Sequence, residues 1–399
     1  MYVDVAIIGA GVAGASAAAH IAQTRSVVLI EREACAGYHA TGRSAALFSE
    51  TYGNATVRAL SVASRSSLEN PPPGFAAEAI LRPRGAMHIG AGSDTSLLDS
   101  FYETAHALAP SVRRIAATEV VGRVPVLKPE MVAGGGVIEP NAKDIDANEL
   151  LQGYLRRLRS LGGKVLFDAE LRGLARDAGK WSAETGAGTV QSEILVNAAG
   201  AWADEIAEMA GARPVGLVPK RRTVFVFQPP SDVSFSFWPL VIGAREDFYF
   251  KPDAGNLLVS PADETPSPPT DAQPEEIDVA IAADRLMSVT SLKVRHIARR
   301  WAGLRTFAAD KTPVVGFDPE VEGFLWLAGQ GGYGFQTAPA MASIAAALIA
   351  GRGIGPRFRD IGLTEEVLAP ARFLRGRNRS DGRTLRAHDD DHGKTGNAE

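Results

Sequence analysis

Gly9, Gly11 and Gly14 stand in a Gly-x-Gly-x-x-Gly spacing, with Glu31 about twenty residues downstream. Each has a task in holding a diphosphate. Gly9 permits a tight turn, Gly11 lets the backbone approach the phosphates, and Gly14 lets a helix pack closely on the preceding strand. The phosphates then meet the free N–H groups and the positive end of that helix. Glu31 is placed to accept hydrogen bonds from ribose hydroxyls, with Arg32 beside it and Ala13 inside the phosphate turn. The chemistry implied is recognition of the ADP half of a dinucleotide.

The elements needed to position these residues are present. Residues 4–8 (DVAII) are a short apolar run ending at Gly9, residues 12–23 carry small residues at helical density, and residues 26–30 (SVVLI) end at Glu31. Strand, turn, helix and strand make one βαβ unit. The spacing does not separate NAD from FAD, but three later segments favour FAD. His39, Ala40, Thr41, Gly42, Arg43, Ser44, Ala45 and Ala46 form a small, polar stretch suited to a ribityl-diphosphate chain. Residues 197–202, with Gly200 and Trp202, follow a later strand and are expected to close over the same cofactor. Gly331, Gly332, Tyr333, Gly334, Phe335, Gln336 and Thr337 make a second glycine-rich turn into a helix, whose N-terminus would stabilise negative charge at the flavin N1–C2=O edge.

The bulk numbers bound the rest. At 399 residues the chain is expected to form two or three domains, or one large two-lobed body. A net charge of -4 argues against a nucleic-acid binder. The 7 His residues are scattered with no metal-ligand spacing to the single Cys35, so no metal site and no internal disulfide are expected. One cysteine fits a reducing cytoplasm. The apolar N-terminal run lacks a basic leader segment, and the uncharged residues 337–351 are too few to span a bilayer. A soluble, cytoplasmic protein is expected.

Residues 146–161 carry the i, i+3, i+4, i+7 pattern of an amphipathic helix, with Asp146 and Glu149 as a capping box. Strands are expected at 164–167 and 194–196. Residues 81–141 and 216–299 are richer in Pro and β-type runs and read as one second domain inserted twice. Residues 262–276 read as an acidic, Pro-rich surface loop, and the tail after about 369 as disordered.

The motifs GAGVAG, GYHATGRSAA, VNAAGAWAD, PKRRTVFVF, FYFKPDAG, WAGLRTF and GQGGYGFQT resemble the D-amino-acid oxidase superfamily of FAD oxidoreductases over about residues 1–368, nearest its FAD-dependent D-arginine dehydrogenases. The resemblance implies an α/β protein. A Rossmann-like FAD-binding domain of the GR2, D-amino-acid-oxidase type would comprise residues 1–80, 142–215 and 300–368. A mixed-sheet α+β substrate domain would comprise 81–141 and 216–299. FAD contacts are implied also at Leu171 and Gly303, and non-covalent binding because Cys35 lies just after Glu31.

The resemblance further places a carboxylate clamp on Arg222 and Arg305, assisted by the phenols of Tyr52 and Tyr249. Two guanidinium forks facing one carboxylate give charge-assisted, bidentate bonds. The Gly332 carbonyl would accept from the substrate amine, Gln336 would lie near the flavin, and residues 49–53 would form a mobile cover. Two departures bear on specificity: Leu47 replaces a family His, and Ala86 replaces the acid that pairs with a substrate guanidinium. A cation facing Leu47, Ala86 and Met87 would be desolvated without compensation. With Ser49, Leu240 and Ile242 they are expected to form a pocket for uncharged or apolar side chains.

The reaction implied is oxidative deamination of a D-amino acid: hydride passes from Cα to flavin N5, and the imino acid hydrolyses to a 2-oxo acid and ammonia. A sarcosine-type secondary-amine or imino-acid oxidase is the nearest alternative, and a non-catalytic flavin-binding protein a more distant one. The sequence leaves open whether O2, a quinone or another carrier takes the electrons, and whether the chain is a monomer or a homodimer.

Overall fold

Two apolar runs pair in parallel as strands Tyr2–Ile8 and Val27–Ile30, with Val5 beside Val27 and Ile8 beside Ile30. The computed structural model describes residues 1–374 of the 399. Val27–Ile30 is buried throughout, as befits a strand covered on both faces. Helix Val12–Ile21 connects the two strands. Strand Gly188–Asn197 lies parallel on the other side of Tyr2–Ile8, pairing Ile8 with Asn197, and Phe324–Ala328 follows it. Lys164–Leu166 extends the opposite edge, and antiparallel strands complete an eight-stranded sheet. The chain leaving the carboxyl ends of these parallel strands therefore emerges on one side, where α/β sheets place their ligands.

Helix Ala147–Ser160 covers this sheet, and the Asp146 carboxylate accepts from the Glu149 N–H at 2.9 Å. Only that half of the expected capping box forms, because Glu149 reaches the Ala77 N–H at 2.8 Å instead. The second glycine turn leads into helix Gly334–Ile349, which packs on Val12–Ile21. Among the described residues no helix is long and apolar enough to cross a membrane.

The second sheet has nine strands and draws on both inserted intervals. Ala86–Ile89 pairs antiparallel with Gly136–Glu139 and parallel with Leu240–Gly243, so the sheet is mixed. Its longest pairing joins Val218–Phe227 to Arg299–Phe307, from Val218 beside Phe307 to Val226 beside Arg299. Residues 300–307, expected to open the last segment of the first domain, thus belong to the second sheet. Their alternating burial needs a strand partner, and Val218–Phe227 supplies one along its full length.

Two further expectations change. Residues 262–276 are not simply a surface loop: Asp271 pairs with Arg43, and Thr270 and Ala272 line the cavity described below. Of the segment 369–399, residues 375–399 lie outside the described residues, but Ala371–Leu374 forms a helical turn and Arg372 pairs with Asp310 at 2.9 Å.

Candidate active site

One cavity of about 320 Å³ runs from the Gly9 turn to the second sheet. At its first end the walls are mostly backbone. Gly9 adopts φ +100°, and a Cβ on Gly14 would fall 1.9 Å from the Gly9 carbonyl oxygen, so strand and helix meet with no room for a side chain. Gly11 begins the helix with no capping side chain, though the Thr41 hydroxyl accepts from the Val12 N–H at 3.1 Å. Glu31, almost buried, accepts from the N–H groups of Ala10 at 2.7 Å and Glu33 at 3.0 Å. A carboxylate has about four acceptor positions, so two remain for ribose hydroxyls.

Side chains add one wall here. The Arg32 guanidinium lies 4.2 Å over the Trp202 ring, and His39 sits 4.7 Å from it, with His39 Nε2 2.8 Å from Glu33. Ala13, Ala40, Ser44, Ala45, Ala46, Leu171, Gly200 and Gly303 also line the cavity. Arg43 lines it too, but its guanidinium is committed to the Ala272 and Ala302 carbonyls and to Asp271. It therefore straps residues 270–272 over the cleft rather than standing free for a phosphate. Gly42, Tyr333 and Thr337 stand behind the lining: a Cβ on Gly42 would meet the Gly37 carbonyl at 2.6 Å, and the Thr337 hydroxyl donates to the Tyr333 carbonyl.

At the far end the walls are side chains from distant segments. In the antiparallel pairing Arg222 lies opposite Gly303 and Lys220 opposite Arg305, so Arg222 and Arg305 share one face as diagonal neighbours. A Cβ on Gly303 would stand 3.2 Å from the Arg43 Cβ, so the strand passes close to residues 40–43 there. Arg222 donates to the Asp263 carbonyl at 2.8 Å, touches Glu264 at 3.3 Å and lies 5.9 Å from the Tyr249 ring centroid. Burial first, and then the Arg305 charge, hold its guanidinium below the usual arginine value. Arg305 meets the Tyr52 hydroxyl at 3.3 Å and makes no carboxylate ion pair among the described residues. Two adjacent cations that have one carboxylate between them, Glu264 on Arg222, favour a further anion beside them.

Orphaned polar atoms mark the same region. The Tyr249 hydroxyl and Gln330 Nε2 are buried without hydrogen-bond partners, and both residues line the cavity. Gly331, Gly332, Gly334, Phe335 and Gln336 also line it, at the uncapped N-terminus of helix Gly334–Ile349. Gln336 is itself fixed: its Oε1 accepts from the Ser49 N–H at 3.1 Å and its Nε2 donates to Ser61 at 2.8 Å.

The expected side-chain pocket is only partly assembled. Leu47 lines the cavity, while Ala86, Leu240 and Ile242 join it, Val224, Tyr249 and Trp301 in one apolar cluster. Met87 does not belong there. It is fully buried on the opposite strand face with Phe225 and Phe250, because adjacent strand residues point to opposite sides. Ser49 is not a pocket residue either: it is 4% exposed and its hydroxyl donates to Glu139 at 2.7 Å. Residues 49–51 are consequently pinned rather than free, although Tyr52 beside them is 38% exposed.

Sequence reasoning missed Gln330, although it stands within the second glycine-rich turn. It also missed Val224, Thr270, Ala272, Glu139 and Glu264, whose placement comes from strand pairing and the Arg43 strap and has no local signature. The donor set fits FAD. Two helix N-termini, a ribose-ready carboxylate and unpartnered Gln330 and Tyr249 line one continuous cleft. Gly9–Glu31 would hold the ADP half, and residues 330–336 the flavin.

Residues 4–348 match the family described as FAD dependent oxidoreductase (DAO). Glycine oxidase of Geobacillus kaustophilus is 24% identical over 368 residues, which cover 87% of this chain and 92% of that protein. Hydrogen cyanide synthase subunit HcnC of Pseudomonas aeruginosa is 29% identical over 180 residues; the match spans 44% of this chain and only 42% of that protein. The crystal structure of L-proline dehydrogenase from P. horikoshii superposes with a TM-score of 0.79 at 22% identity, covering 94% and 98% of the two chains, and shares the fold.

Proposed function

Because the chain belongs to the FAD dependent oxidoreductase family and uses FAD, we propose that it oxidises D-amino acids at Cα and favours uncharged or apolar side chains. The reading rests on Arg222 and Arg305 side by side at the end of the cofactor cleft, with the Tyr249 hydroxyl left unpaired between the sheets. Glycine oxidase is similar along nearly the whole chain, which supports an amino acid or related amine as substrate. The motif likeness to D-arginine dehydrogenases supports the D configuration.

When bound, FAD supplies the two-electron acceptor for the hydride leaving Cα. The protein's part is positioning and electrostatics. Arg222 and Arg305 hold the carboxylate, with the Tyr52 and Tyr249 hydroxyls donating to its remaining lone pairs. The Gly332 carbonyl accepts an N–H of the neutral amine, which directs Cα towards the cofactor. Once the hydride and an amine proton have left, water adds to the imino carbon and ammonia departs, giving the 2-oxo acid.

Side-chain preference follows from the cluster of Leu47, Ala86, Val224, Leu240 and Ile242. Glu264, the acid nearest the clamp, is already paired with Lys220 at 2.9 Å and Arg222. A guanidinium entering the apolar cluster would lose its hydration without a partner. Comparing kcat/KM for D-leucine, D-methionine and D-phenylalanine with D-arginine, sarcosine and L-proline tests this. The three apolar D-amino acids should lead. D-arginine in front would overturn the pocket assignment, and sarcosine or L-proline in front would make the protein a secondary-amine oxidase.

A further inference from the structure

Glu139 is an unusual group to find beside this site. It ends strand Gly136–Glu139 of the second sheet, is 6% exposed, and forms no ion pair among the described residues. Its compensation comes from hydrogen bonds, with the Arg65 charge acting from beyond ion-pair distance. The Ser49 and Thr51 hydroxyls each donate to Oε2 at 2.7 Å, and the Glu50 N–H donates to Oε1 at 2.9 Å. Burial nevertheless pushes its carboxyl above the usual carboxylate range, against the pull of those two hydroxyls and of the Arg65 charge. A buried carboxylate without a directly paired cation is expensive to keep, and a neutral side chain would serve simple strand packing better.

The geometry gives the carboxylate a use. Its donors are three consecutive residues of the first domain, and the next residue is Tyr52. Binding residues 49, 50 and 51 to one rigid strand end fixes the backbone from which Tyr52 departs. The other restraints agree: the Ser49 N–H is held by Gln336 at 3.1 Å, and Arg58 donates to the Thr51 carbonyl at 3.1 Å. Tyr52 then projects to Arg305 at 3.3 Å and packs its ring 5.1 Å from Tyr333.

We infer that Glu139 is a positioning residue for the substrate carboxylate: through Ser49, Glu50 and Thr51 it holds the Tyr52 hydroxyl against Arg305. The inference rests on the reading of Arg222, Arg305, Tyr52 and Tyr249 as the carboxylate site. Glu139 does not line the cavity. Its effect therefore depends on Tyr52 having a hydroxyl to place.

A double-mutant cycle on the FAD-loaded protein tests this, with propionate as a non-reacting carboxylate and its Kd read by calorimetry. Tyr52→Phe should weaken propionate about tenfold, as expected for loss of one hydrogen bond to a charged group. Glu139→Gln, which keeps the volume and removes the charge, should weaken it by a similar factor. The double variant should be no weaker than Tyr52→Phe alone. Propionate binding unchanged in Glu139→Gln, or factors that multiply in the double variant, would overturn the role assigned to Glu139. Arg305→Gln separates the two readings: if it leaves propionate binding intact, the carboxylate site itself is misplaced, whatever Glu139 does. Should Glu139→Gln fail to retain FAD, Thr51→Val with Ser49→Ala removes the two hydroxyl donors instead. Combined with Tyr52→Phe in the same cycle, that pair should again add nothing to the loss from Tyr52→Phe, and multiplying factors would overturn the role.

Discussion

The two ends of the cleft are built on different plans. At the Gly9 end, recognition comes from backbone: a turn, a helix N-terminus and a carboxylate already held by two N–H groups, all within residues 9–33. At the Arg305 end, the proposed recognition comes from side chains carried by segments far apart in the chain: Arg222, Tyr249 and Arg305 on three strands of the second sheet, and Tyr52 beside the pinned residues 49–51. A backbone site tolerates little change at its glycines and is indifferent to most side chains. A side-chain site can be altered one group at a time, so the first end should fail as a unit and the second by degrees.

Gly14→Ala is the severest test of the backbone end. Its Cβ would overlap the Gly9 carbonyl oxygen at 1.9 Å, and neither backbone segment can yield without separating helix from strand. We expect no yellow protein, measured as flavin absorbance per mole of purified chain. A variant that retains full FAD would break the comparison.

Arg305→Gln probes the other end. Removing one partner from a buried charge-assisted pair costs about 2–5 kcal/mol, so kcat/KM should fall on the order of a hundredfold or more while FAD content stays at the wild-type level. Loss of FAD with activity would mean that the two ends are not separable.

Tyr249→Phe should act least. The hydroxyl has no partner in the structure, so its removal relieves a buried unsatisfied group and should stabilise the ligand-free protein by about 1 kcal/mol. The substrate would lose one donor, lowering kcat/KM by about tenfold. A drop in thermal stability would show that the hydroxyl has another use.

The same contrast explains what the sequence made legible. The Gly9–Glu31 unit was readable residue by residue because its spacing is local and each glycine answers a steric demand. Arg222 and Arg305 were legible only through the motifs flanking them, since nothing in either segment says that the strands pair. The extent of that pairing moved residues 300–307 into the second sheet. Strand alternation was available for Met87, and applied to Ala86–Ile89 it separates Ala86 from Met87. Residues 270–272 gave no signal, because an ion pair between Arg43 and Asp271 is a tertiary event. Glu139 was equally silent: its donors lie some ninety residues upstream.

The central claim is that a carboxylate clamp presents an amino acid's Cα to FAD at the far end of this cleft. Anaerobic mixing of the yellow protein with D-leucine, followed by the flavin absorbance, tests it most directly. Bleaching should be complete with D-leucine, absent with L-leucine under the same conditions, and at least hundredfold slower in Arg305→Gln. Flavin that stays oxidised with D-leucine and every other amino acid tried, or that is reduced equally fast without Arg305, would contradict it.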